Sequence, residues 1–125
     1  MKPSEILDAA ANIILRDGWH QGTYFAFEPH DPREVCEEKN RTAPCCQAGA
    51  ISRAAFGVAL REGGLKEATD ARVLAFSRAS HYMLWHVQQT YNVTPIEWND
   101  RPTTTKDDIV TALRGAADDA RRAGE

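Results

Sequence analysis

The sequence predicts an all-α fold, an irregular four-helix domain with two long ordered loops, and reads as a single unit over residues 1–125. Three observations predict it. Four segments carry apolar residues at three-and-four spacing, which lines one face of a helix. Two intervening stretches, each with a tryptophan, are rich in turn formers and break that period. The chain has 125 residues, 42% hydrophobic and 26% charged, the composition of one globular domain able to bury a core without disulfides or metals.

The first segment runs from Ser4 to Asp17, with Ile6, Leu7, Ala10, Ile13 and Ile14 on one face, Ser4 as the expected N-cap and Gly18 closing it. Residues 19–43 read as a long loop containing two prolines, with aromatics and β-formers at Thr23 to Phe27 suiting a short strand or hairpin. A loop of that length is often functional when ordered. The second segment is expected from Pro44 to Gly63 and Gly64. Ile51, Ala54, Ala55 and Val58 form its larger face, beside a stripe of small residues (Cys46, Gly49, Ala50, Ala54, Gly57) that invites close approach by a neighbouring backbone. The third, from Lys66 or Thr69 to Tyr91, is the longest and is expected to be the central helix. Residues 92–104 read as the second loop, because Pro95 and Pro102 interrupt any period. In the fourth segment Thr105 and Asp108 make a capping arrangement, Ile109, Val110, Leu113, Ala116, Ala117 and Ala120 mark the buried face, and the tail is expected to fray.

A formal charge of -3 gives no broad basic footprint, and the arginines are spread among acids, so nucleic acid is not an expected partner. No apolar run approaches bilayer-spanning length, so no membrane partner is expected. Three cysteines without a framework spacing read as free thiols of a reducing compartment, and the expected location is cytoplasmic.

Three signatures stand out: Trp19-His20-Gln21-Gly22, Cys46-Gln47-Ala48-Gly49-Ala50-Ile51 and Trp98-Asn99-Asp100, with the closing Thr-capped helix. Together they resemble, over nearly the full chain, a family of small proteins of unknown function from actinobacteria and their phages. The resemblance implies such an origin, and the host cytoplasm as the location for a phage-encoded member. It brings no activity with it. Trp19, Gly22, Cys46, Gly49, Ala50, Trp98, Asn99 and Asp100 match the family pattern; Cys36 and Cys45 do not.

Among candidate chemistries, a thiol in the first turn of a helix can be activated by the helix dipole, which makes Cys46 a candidate nucleophile with a histidine and Asp100. No histidine has a spacing that brings it to Cys46. As a buried small hydrophobe Cys46 needs no partner. Cys45 and Cys46 in one helix would diverge by about 100°, too far to share an ion, and the histidines are scattered, so neither a metal nor another cofactor is expected. Trp98-Asn99-Asp100 has a structural reading as an apolar anchor followed by turn-fixing side chains, as do Trp19 as a core plug and Gln21 with Gly22 as a turn. Tyr82, Trp85 and His86 read as core on a helix apolar nearly all round, the alternative being an exposed patch for a homodimer or protein partner. The expected function is accessory and non-enzymatic: binding of a protein, a host protein included, or of a small ligand. The binding residues are Trp19, Gln21, Gly22, Cys46, Trp98, Asn99 and Asp100. The alternative is a thiol-dependent hydrolase or transferase using Cys46 with a histidine and Asp100. The Trp98 loop is expected to press on Cys46, Gly49 and Ala50.

Overall fold

The computed structural model describes residues 1–60 and 71–125 and is helical, with no strand among the described residues. Six helices follow in order among the described residues: α1 (Pro3–Asp17), α2 (Arg33–Thr42), α3 (Gln47–Phe56), α4 (Ala71–Tyr91), α5 (Pro95–Asp100) and α6 (Lys106–Arg122). The all-α expectation holds, but six helices replace the expected four. The four predicted segments correspond to α1, α3, α4 and α6, which pack together. The two additional helices, α2 and α5, lie in the stretches read as loops.

α1 is the more deeply buried helix, whereas α4, expected to be central, packs on α1, α3, α5 and α6 and buries Val73, Ala79, Met83 and Val87. α1 packs on α3, α4 and α6, and Ile6, Leu7, Ala10, Ala11 and Ile14 are all buried. Each fully buried Ile or Leu contributes about 1.5–3 kcal/mol by leaving water. Opposite it, Ile109, Ala112, Leu113, Ala116, Ala117 and Ala120 of α6 are fully buried. The small alanines let the two axes approach closely. The start of α6 is as the sequence predicts, Thr105 Oγ1 accepting from Asp108 N–H at 3.2 Å and Asp108 from Thr105 N–H at 2.9 Å, while the tail expected to fray is helical to Arg122. The N-cap of α1 is Lys2, two residues before the expected Ser4, with Pro3 in the first turn. Ser4 is therefore inside the helix, and its hydroxyl donates instead to the Glu125 carbonyl at 2.9 Å. The tail is tied down, since the Glu125 carboxylate also pairs with Arg78 and Tyr82.

The start of α3 departs most from the sequence reading. Pro44 does not begin the helix. Residues 44–46 are extended between two neighbouring stretches: Cys45 N–H donates to Gly18 O at 3.2 Å and Cys45 O accepts from His20 N–H at 3.0 Å on one side. On the other, Ala26 N–H donates to Pro44 O at 2.8 Å and Cys46 N–H to Tyr24 O at 3.1 Å. Isolated bridges thus stand where a hairpin at 23–27 was expected. Cys46 is the N-cap, its Sγ accepting from Gly49 N–H at 3.3 Å. Neither cysteine is in the helix body, so the angular argument separating them does not apply. Cys45 is fully buried and Cys46 only partly so, although a buried place was expected for Cys46. α3 ends early at Gly57, whose φ of +83° stops it. The expected stop at Gly63 and Gly64, and the expected start of the third segment at Lys66 or Thr69, lie outside the described residues.

α2 escaped the periodicity argument because none of its residues is buried. It is held from its C-terminal end by Arg53 of α3, whose guanidinium donates to the carbonyls of Ala43 (2.9 Å), Asn40 (3.1 Å) and Lys39 (3.3 Å) and pairs with Asp17 at 3.0 Å. α5 was hidden by Pro95, read as a breaker. It occupies the first turn, with Thr94 Oγ1 capping Glu97 N–H at 3.3 Å. The reading of Tyr82, Trp85 and His86 as core is also corrected. Tyr82 and His86 are half-buried, the latter paired with Asp119 at 2.8 Å, while Trp85 is 53% exposed.

Candidate functional site

The three signatures converge on Asn99. It is 2% exposed, and its side chain makes four hydrogen bonds. Oδ1 accepts from Trp19 Nε1–H at 2.9 Å and from Gln47 N–H at 3.1 Å. Nδ2 donates to His20 O at 3.2 Å and to Asp100 Oδ1 at 3.0 Å. A carboxamide has two donor hydrogens and an oxygen with two lone pairs, so its capacity is filled. Around it, Gln21 Nε2 donates to the carbonyls of Asn99 and Arg101, both at 2.9 Å, and Asp100 Oδ1 accepts from Gly22 N–H at 3.0 Å. Gly22 has φ +94°, which glycine adopts without strain. Trp98, 4% exposed, stacks on Tyr91 with ring centroids 4.3 Å apart and anchors α5 from behind.

This clasp fixes one wall of a groove of about 380 Å³, within the usual size range of small-ligand sites. Gly22, Cys46, Asn99 and Asp100 are on its wall; Trp19, Gln21 and Trp98 are not, and stand behind it. The rest of the lining was not singled out in the sequence. Tyr24 (43% exposed), Phe27 (46%) and Ile96 (62%) supply apolar surface, and Gln47 and Ala48 of α3 form the floor. The density of aromatics in Tyr24-Phe25-Ala26-Phe27 is the sequence signal for this surface, and it suits a strand equally well. A second hollow of about 240 Å³, lined by Ile51, Leu84 and Pro95 among others, adjoins the first and shares Gln47, Ala48 and Ile96 with it.

What presses on the small-residue stripe is chiefly the 19–27 segment. A Cβ built on Gly49 would lie 2.3 Å from the Tyr24 carbonyl oxygen and 3.2 Å from Cys45 Cβ. The α5 segment meets α3 two residues earlier, through Asn99 and Gln47.

Both cysteines are poor thiolates. Burial pushes the Cys45 thiol up to about 12, and burial also raises Cys46, against the opposing help of the Gly49 and Ala48 N–H groups. Asp100, on the same wall, raises Cys46 further. Among the described residues lining the groove there is no histidine. His20 bonds Thr23 Oγ1 at 2.8 Å and His86 bonds Asp119. Among the described residues no three His, Cys, Asp or Glu side chains cluster as a metal site requires, and no helix is long and apolar enough to cross a membrane.

Residues 1–119 match the model of a family of unknown function, DUF6197. No curated protein and no solved structure matches the chain.

Proposed function

The chain belongs to that DUF6197 family, and from this premise we propose that it is a non-enzymatic binding protein whose ligand site is the groove between the Tyr24–Phe27 segment, the start of α3 and α5. The observation that carries the reading is the groove itself: a concave, mostly apolar surface with exposed aromatics, backed by a fully satisfied polar clasp. Trp19, Gln21 and Trp98 act behind the wall as positioning residues; Gly22, Cys46, Asn99 and Asp100 belong to the wall. The wider setting we attach to this reading, an actinobacterial or phage-type accessory protein working in the cytoplasm, rests on the sequence resemblance.

The thiol-enzyme alternative is less well supported, because a nucleophilic thiol needs a lowered pKa and a nearby base. Cys46 has a raised one, and no histidine shares its groove. A second binding reading has an observation of its own. Leu74 (60% exposed) and Trp85 (53%) leave apolar surface on α4 on which a protein partner or a second copy could dock.

A titration of the ¹⁵N-labelled protein with 1-methylquinolin-2-one, a planar uncharged probe, tests the groove. Saturable shifts at Tyr24, Phe27, Ala48 and Ile96 are expected. Absence of any saturable shift there, both with this probe and with its N–H parent quinolin-2-one, would overturn the reading.

A further inference from the structure

Gln47 is the residue the clasp leaves unexplained. It is 3% exposed, lines both the main groove and the adjoining hollow, and has its main-chain N–H fixed on Asn99 Oδ1 at 3.1 Å. Its side-chain amide makes no hydrogen bond to any described residue. Yet among the described residues the only side-chain polar atom both sealed from solvent and unpaired is Arg53 Nε. The Gln47 amide must therefore keep a narrow opening, and the two hollows it lines supply that opening. An almost buried amide that only solvent in these hollows can satisfy is one that a ligand can engage.

Resting on the groove reading above, we infer that the site takes a small planar ligand with a lactam-type edge, an adjacent N–H and C=O, paired with the Gln47 carboxamide. The chemistry follows from the walls. A carboxamide offers a donor and an acceptor side by side in one plane, so its complement is an edge with an acceptor and a donor side by side. Tyr24, Phe27 and Ile96 provide flat apolar surface on which a ring can lie. The described lining contains no Lys or Arg, and its charged member is Asp100. Asp100 Oδ1 is already engaged by Gly22 and Asn99, and its negative charge disfavours a carboxylate or phosphate on the ligand. The ligand is thus neutral or cationic.

The test pairs two probes of one shape. Quinolin-2-one carries the full lactam edge, and 1-methylquinolin-2-one has its donor blocked. Both are titrated by ¹H–¹⁵N correlation spectroscopy into the wild type and into Gln47→Leu, with the assigned Gln47 side-chain NH₂ pair as reporter. Quinolin-2-one should bind the wild type about tenfold more tightly than its methyl derivative, shift the Gln47 NH₂ pair, and lose that advantage in Gln47→Leu. Saturable but equal binding of both probes to the wild type would overturn the amide pairing while leaving the groove reading standing. A preference that survives in Gln47→Leu would also overturn the pairing. Failure of both probes to bind would remove the groove reading itself, and this inference with it. The wild-type comparison needs no variant to fold, so the proposal stays testable if Gln47→Leu does not.

Discussion

The indole N–H of Trp19 donates to Oδ1 of Asn99 at 2.9 Å, joining positions 80 apart in the chain. The same oxygen accepts the first N–H of α3, from Gln47. One side chain thereby locks the turn after α1, the start of α3 and the end of α5 together. Removing it with Asn99→Leu strands the Trp19 and Gln47 donors and should cost about 3 kcal/mol or more. Trp19→Phe removes one donor and leaves Oδ1 paired with Gln47, so a loss nearer to about 1 kcal/mol is expected from that bond. Urea unfolding midpoints check the order. Equal losses would show that the Asn99 network is not the joint.

Two glycines should respond differently to alanine. At Gly49 the added methyl meets the Tyr24 carbonyl oxygen at 2.3 Å, and backbone held by the 44–46 bridges cannot step aside. At Gly115 it meets the His86 ring at 2.4 Å, which can rotate away at the expense of the Asp119 contact. Gly49→Ala should therefore be the more destabilising, by about 1–3 kcal/mol or more, and should shift the Tyr24 and Cys46 amide resonances. The reverse ranking in thermal melts would contradict the packing described.

α2 depends on one guanidinium. Arg53 is 5% exposed and reaches three carbonyls near the end of a helix that buries no residue of its own. Arg53→Met should cost about 3 kcal/mol by analogy with removing one member of a buried pair. It should also raise hydrogen exchange in residues 33–42 well before the α1 and α6 amides exchange. Uniform exchange across the helices would argue against local anchoring.

Stability should fall at both ends of the pH scale, for separate reasons. The Glu125 carboxyl is held at about 2, against an ordinary 4.5, by hydrogen bonds from Arg78 and Tyr82. For Asp8, hydrogen bonds from Arg121 and Arg114 overcome the opposing effect of burial; Asp17 is lowered first by its hydrogen bond from Arg16. A carboxylate with a depressed folded pKa stabilises above its unfolded value, and that contribution is lost as pH falls through the folded one. The acid loss should thus begin below about pH 4.5, and Glu125→Gln should flatten part of it. Cys45 runs the other way: raised from 9.0 to about 12, it favours the fold below pH 9, and the unfolded chain gains by ionising as pH rises toward 12. In Cys45→Ala the slope of that alkaline limb should fall, whatever its effect on overall stability. An unchanged slope would show the thiol is not the source.

What the sequence made legible was set by what has a local signature. α1 and α6 were readable because their apolar period, Gly18 and the Thr105–Asp108 pair all act within one turn. Of the residues carried by the resemblance, Trp19, Gly22, Asn99 and Asp100 meet in space. α2 was not legible, since its stabilising partner is an arginine 10–14 positions beyond the carbonyls it bonds and not an apolar face. α5 was missed because a proline that starts a helix looks, out of context, like one that ends it. Cys45, and not Cys46, takes the fully buried place for a similar reason. A helix was drawn through Pro44, whereas hydrogen bonds from residues 18–26 hold 44–46 extended. Tyr24, Phe27, Gln47 and Ile96 became candidates only when the groove placed them on one surface.

The central claim is that this groove, and not the outer face of α4, is where the protein binds. The most direct measurement is the amide shift map of the ¹⁵N-labelled protein titrated with 1-methylquinolin-2-one, repeated on Ile96→Glu, which places a charge on a wall residue shared by both hollows. The account predicts saturable shifts confined to Tyr24, Phe27, Ala48 and Ile96 in the wild type, and their loss in the variant. It would be contradicted by no saturable shift at those positions with either this probe or quinolin-2-one, or by shifts gathered instead around Leu74 and Trp85.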